Sequence, residues 1–196
     1  ERLGALQVHR VRAFAEAGSG PLVRVLNVAT YCIALFAEVL RVRPDLVTAA
    51  TFPPVVAAWS ASLAARLVDA RFVYHMQDIH PEVSKFSGDG LGRGLAARIL
   101  TALDNSTLRR SSAVVVLSGD MAETLRSRGL ADLPIHVINN FSLDVFGGAV
   151  EPPSEYRKAP GKRRVIFAGN LGRFQNLPLL AEGVSLCFER HPDLEL

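Results

Sequence analysis

His75, Asp78, His80 and Glu82 fall within eight residues and form the densest group of ionisable side chains at any expected strand end. Imidazole and carboxylate groups together can ligate a transition ion, orient a hydroxyl or stabilise developing positive charge. Their spacing matches no helical ligand pair such as His-Glu-x-x-His, so a hydrogen-bonding cluster is the favoured reading and no metal is expected. A carboxylate at Asp78 with a histidine beside it meets the needs of transfer at a sugar carbon. For His75 alone, the plain alternative is a strand-end histidine satisfied by backbone.

A second group is Gly169-Asn-Leu-Gly-Arg-Phe-Gln-Asn176, which joins an expected strand to an expected helix. Gly169 and Gly172 would let an anion approach backbone N–H groups at a helix N-terminus, and Arg173 could add a charge-assisted bond. By spacing alone an ordinary βα turn is slightly preferred. No Gly-Lys-Ser/Thr follows, so this is not a Walker loop. The Gly90-Leu-Gly-Arg-Gly94 run does not lie between a strand and a helix start, so dinucleotide binding is poorly supported. Ser118 lacks the Gly-x-Ser-x-Gly elbow of a nucleophile and reads as a helix cap.

The elements that position these groups follow from periodicity. A strand-like run over 5–14 precedes a helix over 22–42, opened by Pro21 and ended by Pro44. Strands are expected at 46–50, 71–75, 113–117, 135–138 and 164–168, and helices at 55–67, 95–109, 118–129 and 176–190. Asp120 and Glu123 are spaced as a capping box, and Asn176 is placed to cap the last helix. Residues 80–94, with four alternating glycines, read as a mobile loop. This alternation predicts an α/β fold, a Rossmann-like parallel sheet with helices on both faces, then the first β-α unit of a second such domain. In parallel sheets, ligands bind beyond the carboxyl ends of the strands. Thr51-Phe-Pro-Pro54, His75-Met-Gln-Asp78, Ser118-Gly119, Asn139-Asn140 and the Gly169 loop are therefore the candidates.

Composition narrows the class. With 49% hydrophobic and 21% charged residues, the 196-residue chain is neither disordered nor a multi-span membrane protein. Arg157, Lys158, Lys162, Arg163 and Arg164 carry the basicity, since without them the net charge of +3 becomes −2. A local cluster rather than a basic face argues against nucleic acid as a partner. Cys32 and Cys187 cannot build a disulfide framework, and a reducing compartment fits. The apolar stretch 22–42 is long enough to cross a bilayer, but Arg24, Asn27, Glu38 and Arg41 favour a helix packed on a sheet.

Asp45-Leu-Val-Thr-Ala-Ala-Thr-Phe-Pro-Pro54, Phe72-Val-Tyr-His-Met-Gln-Asp-Ile-His-Pro-Glu82, Ala113-Val-Val-Val-Leu-Ser118, Val137-Ile-Asn-Asn-Phe141 and Val165-Ile-Phe-Ala-Gly-Asn-Leu-Gly-Arg-Phe-Gln-Asn176, in that order, resemble a family-4 retaining glycosyltransferase of the GT-B fold. They resemble especially the bacterial enzymes that build cell-surface polysaccharide. It implies two Rossmann-like domains facing across a cleft, the first binding the acceptor and the second a nucleotide-sugar donor. Asp78, which matches the family motif better than any histidine, and His75, two residues before the family histidine's place, are the expected catalytic residues; Thr51, Phe52, His80 and Glu82 are expected on the acceptor side, and Gly169, Asn170, Gly172, Arg173 and Gln175 at the donor phosphates. Gly169-Asn170 and Gln175-Asn176 stand where the family often has Gly-Arg and Lys-Gly, and Gln77-Asp78 where it often has His-Asp.

The expected organisation is an acceptor-side domain at 1–146 whose start is missing, a linker at 147–162, and the truncated beginning of a donor-binding domain at 163–196. The family's paired glutamates would fall beyond Leu196, so this stretch alone is expected to be inactive. No cofactor is expected beyond the nucleotide-sugar substrate. The implied location is cytoplasmic, with peripheral contact at the inner face of the membrane. Two rivals stand beside this reading. One is a sugar-nucleotide epimerase of the same fold. The other is a non-catalytic membrane or partner-binding module that adheres through residues 22–42 and the Arg157–Arg164 cluster.

Overall fold

Runs of β-branched and aromatic residues set the central strands, and their burial alternates with period two as a pleated strand demands. The computed structural model describes residues 2–3, 6–11, 20–80, 82, 94–141, 157, 160–169 and 176–195. Four parallel strands, β3 (Leu46–Ala49), β4 (Arg71–Met76), β5 (Ala113–Val116) and β6 (Ile135–Val137), lie in that spatial order. Ahead of them, β1 (Arg2–Leu3) and β2 (Leu6–Gln7) form a separate antiparallel pair. The run expected as one strand over 5–14 is thus a short hairpin arm, with residues 8–11 outside any strand and 12–14 outside the described residues.

Helices α1 (Pro21–Val42), α2 (Val56–Leu67), α3 (Gly94–Arg110) and α4 (Gly119–Ser127) complete the first unit. Stepping through the sheet in one direction with right-handed crossovers sends α2, α3 and α4 to the same face. Phe72, Tyr74 and Met76 of β4, Val114 and Val116 of β5, and Val47 of β3 point into the core on that face. They meet Leu108 of α3 and Ala122 and Leu125 of α4. The small side chains of Ala58, Ala61, Ala64 and Ala65 let α2 approach the sheet closely, and all four are fully buried.

Helix α1 departs from the expected sheet-packed helix. It packs against α2, only Val39 among its apolar residues is buried, and Leu35, Phe36 and Leu40 are partly covered. Arg43 ends it in the left-handed conformation, its N–H bonded to Val39 O. Ser118 occupies the N-cap of α4 with extended backbone but makes no capping bond. Its hydroxyl bonds the Asp120 carboxyl instead, holding that group below the usual carboxylate range. The expected box with Glu123 therefore gives way to a Ser118–Asp120 contact.

Residues 1–140 and 141–196 form two compact units. In the second, β7 (Arg163–Arg164) and β8 (Leu194–Glu195) pair in parallel across α5 (Leu177–Arg190). Where a strand is expected over 164–168, the ladder consists of Arg163 and Arg164, paired with Leu194 and Glu195. Arg163 forms a two-pronged bond with Asp193, at 2.5 and 3.1 Å, and Lys162 donates to Pro192 O at 2.6 Å. Part of the basic cluster is thereby committed to closing this βαβ unit. Asn176 caps α5 in the left-handed conformation without a side-chain bond. Of the expected loop 80–94 and linker 147–162, only residues 80, 82, 94, 157 and 160–162 are among those described.

Candidate functional site

Parallel strands deliver their following loops to one edge, and here that edge gathers polar side chains from β3, β4, β5 and β6. Thr51 lies just beyond β3 and is buried. Phe52 beside it is 81% exposed, an aromatic ring offered to solvent at the edge of the sheet. The turn is completed by Val55, whose φ of 61° is costly for a β-branched residue. Such a conformation persists only where the surrounding packing holds it; Val55 is buried at the start of α2.

On β4 the core-facing residues are Phe72, Tyr74 and Met76, so His75 projects from the opposite face and is half-buried. Gln77 Nε2 lies 2.9 Å from His75 Nε2. With the amide donating, the imidazole proton sits on Nδ1. Asn140 Nδ2 donates to Gln77 Oε1 at 3.4 Å, and Asn139 Nδ2 donates to Leu117 O at 2.7 Å. A chain of neutral dipoles therefore runs from His75 through Gln77 to Asn140, tying β4 to β6 across 63 residues of sequence. Asp78 follows directly and is exposed. Such an arrangement presents hydrogen-bonding amides beside one exposed carboxylate, the chemistry that can orient a hydroxyl.

His80 is half-buried, and burial pulls its pKa below the ordinary imidazole value, with Asp78 and Asp104 opposing that shift. Glu82 is held elsewhere. Arg128, at the end of α4, grips it with Nε on Oε1 at 2.8 Å and with Nη2 on Oε2. The same guanidinium donates from Nη1 to Asp104 Oδ2 at 2.7 Å, and Tyr74 OH donates to Asp104 Oδ1 at 3.3 Å. Asp104 is only 1% exposed, and burial raises its pKa against the lowering effect of Arg128 and Tyr74. Burial likewise pushes the Tyr74 phenol up. Glu82 thus anchors the segment carrying Asp78 and His80 to α3 and α4, with its carboxylate turned to Arg128.

Spacing alone singles out neither Asp104 nor Arg128. The available signal is Asp104 itself, which shares a helical face with Leu100, Thr107 and Leu108. A carboxylate on a buried face needs a cation. In the second unit Gly169 is exposed, and a Cβ there would come to 3.4 Å from the Phe167 ring. Asn170, Gly172, Arg173 and Gln175 lie outside the described residues. Among the described residues no three His, Cys, Asp or Glu side chains are grouped to hold a metal.

Residues 1–140 match the family described as glycosyl transferase 4-like domain. No curated protein matches the chain.

Proposed function

The chain belongs to the glycosyl transferase 4-like domain family, and from that premise we propose that it serves a transferase using a nucleotide-sugar donor. The sugar passes to a glycan or lipid-linked acceptor with retention of anomeric configuration, in the building of cell-surface polysaccharide. The observation that carries this reading is the polar edge formed by Thr51, His75, Gln77, Asp78 and Asn140 in a domain of that family.

In this reading the first unit receives the acceptor. Phe52 offers an apolar face for a sugar ring or lipid-proximal carbon chain, and the amides of Gln77 and Asn140 bond acceptor hydroxyls. Asp78 orients the attacking hydroxyl and stabilises the positive charge that grows at the anomeric carbon. As the bond from that carbon to the donor phosphate oxygen breaks, the bond to the acceptor oxygen forms and the acceptor proton passes to the departing nucleoside diphosphate. His75, held by Gln77, is the second polar group at this edge. In the second unit the Gly169–Gln175 segment, leading to the N-terminus of α5, takes the donor diphosphate. The reaction takes place in the cytoplasm, at the inner face of the membrane.

The test is release of nucleoside diphosphate by the intact protein across a panel of nucleotide sugars. Asp78→Asn is expected to lower turnover by about 10²–10⁴-fold while thermal unfolding is unchanged, because Asp78 is exposed. Failure to bind or cleave any donor, together with an Asp78→Asn variant indistinguishable from the parent, overturns the reading.

A further inference from the structure

The stretch from Tyr74 to Glu82 carries His75, Gln77, Asp78 and His80, and one buried pair of charges holds it at both ends. Ahead of the site, Tyr74 OH donates to Asp104 Oδ1 at 3.3 Å. Beyond it, Glu82 receives the Arg128 guanidinium on both carboxylate oxygens. Arg128 Nη1 closes the bracket on Asp104 Oδ2 at 2.7 Å. Between the two ends, Ile79 is seated in the core and its carbonyl accepts a bond from Glu82 N–H at 3.0 Å. The turn that follows Asp78 is thus pinned through Ile79 and through Glu82.

Folding alone does not call for such a bracket. A buried ion pair replaced by apolar side chains of similar volume is often no less stable, and a pair whose acid is 27% exposed, as Glu82 is, adds little. What the guanidinium supplies and apolar packing lacks is direction. Its Nε and Nη2 are committed to Glu82 and its Nη1 to Asp104, all in one rigid plane. A shift of Glu82 against that plane breaks at least one of these bonds.

We propose that Arg128 and Glu82 are positioning residues of the transfer reaction: Arg128 holds Glu82, Glu82 fixes the turn behind the site, and the turn sets where the Asp78 carboxylate stands at the carboxyl edge. Neither residue touches substrate. The inference rests on the reading of Asp78 as the group that meets the attacking hydroxyl, and it moves Glu82 from the acceptor side to the support beneath it.

Two variants of the intact protein loosen the bracket without stripping the buried Asp104 of its cation. Glu82→Ala removes the tether and leaves Arg128, Asp104 and Tyr74 in contact. Arg128→Lys keeps a positive charge for Asp104, but a lysine ammonium cannot also fork onto Glu82. The first measurement needs neither donor nor acceptor. Burial holds the His80 pKa below the ordinary imidazole value, and Asp78 and Asp104 are the charges that act on it. Both variants leave those two charges in place, so release of the turn should raise the His80 pKa toward its ordinary value in an NMR titration.

The second measurement is nucleoside diphosphate release over the panel of nucleotide sugars. Glu82→Ala and Arg128→Lys should each lower turnover by about 10–10²-fold. Glu82→Gln, which keeps a carbonyl oxygen for Arg128, should lose less. Asp78→Asn/Glu82→Ala should be no slower than Asp78→Asn alone, since the tether acts through Asp78, whereas a mere loss of folded protein would multiply the two effects. An unmoved His80 titration, or losses that multiply, overturns the proposal. Slow Glu82→Ala beside Arg128→Lys at the parental rate overturns it in favour of Glu82 as a direct acceptor contact. With an active parent, these outcomes leave the transferase reading standing. A parent that releases no nucleoside diphosphate from any donor overturns that reading, and with it the role proposed for the bracket, even where His80 is released.

Discussion

Replacing Arg128 by Met tests whether the segment carrying Asp78 and His80 is held by an ionic network rather than by apolar contact. The guanidinium is 10% exposed and serves two carboxylates, Glu82 at 27% and Asp104 at 1%. Methionine keeps much of the apolar stem but strips the buried Asp104 carboxylate of this cation, while the Tyr74 hydroxyl stays beside it at 3.3 Å. Removing one partner of a buried pair costs about 3–5 kcal/mol, a large share of the roughly 5–15 kcal/mol by which a domain is stable. With a urea slope near 2 kcal/mol per molar, the unfolding midpoint should fall by about 2 M. Trp59, the sole tryptophan, sits in α2 and reports unfolding of the first unit by its emission.

The pH dependence makes the test specific. Burial raises the Asp104 pKa, and Arg128 is the main opposing influence. Without Arg128 the folded state takes up a proton at Asp104 more readily than the unfolded state does. The penalty is therefore full at high pH and is relieved as the pH falls through the carboxylate range. The loss in Arg128→Met should be larger at about pH 8 than at about pH 5. Adding Asp104→Asn, which removes the buried charge, should make the double variant less unstable than the sum of the two single losses. A loss under about 1 kcal/mol, or one that is the same at both pH values, refutes the reasoning.

Ala61 is fully buried where α2 meets the core, so Ala61→Leu is expected to cost about 1–3 kcal/mol and lower Tm by several degrees. Ala102→Leu on the exposed side of α3 should stay within about 0.5 kcal/mol of the parent. For His80, an NMR titration should place the pKa below the ordinary imidazole value because burial disfavours the cation, and Asp78→Asn should lower it further by removing a supporting charge. A depressed folded-state pKa means stability is lost as the pH falls through the imidazole range, so His80→Gln should flatten that part of the stability profile. An unshifted His80 titration would contradict its burial.

The periodic elements are legible in the sequence because periodicity is local. The alternation at Arg71–Met76, the β-branched run at Ala113–Val116 and Pro21 ahead of an apolar stretch each announce their element within a few residues. Strand ends are located in the same way, which is why Thr51, Asp78 and Asn139-Asn140 stand out as candidates from residue order alone. Every relation between distant residues needed the tertiary structure. Spacing cannot show that Asn140 meets Gln77, or that Glu82 turns to Arg128, 46 residues away. Nor does it reveal that Arg163 and Arg164 pair with Leu194 and Glu195, because a ladder depends on a partner strand distant in sequence. For α1 the sequence by itself determined an apolar helix with a few charges, a pattern equally suited to a core and to a surface. Its neighbours decided the matter, since α2 covers one side and the described structure leaves the Leu22 to Ile33 face open.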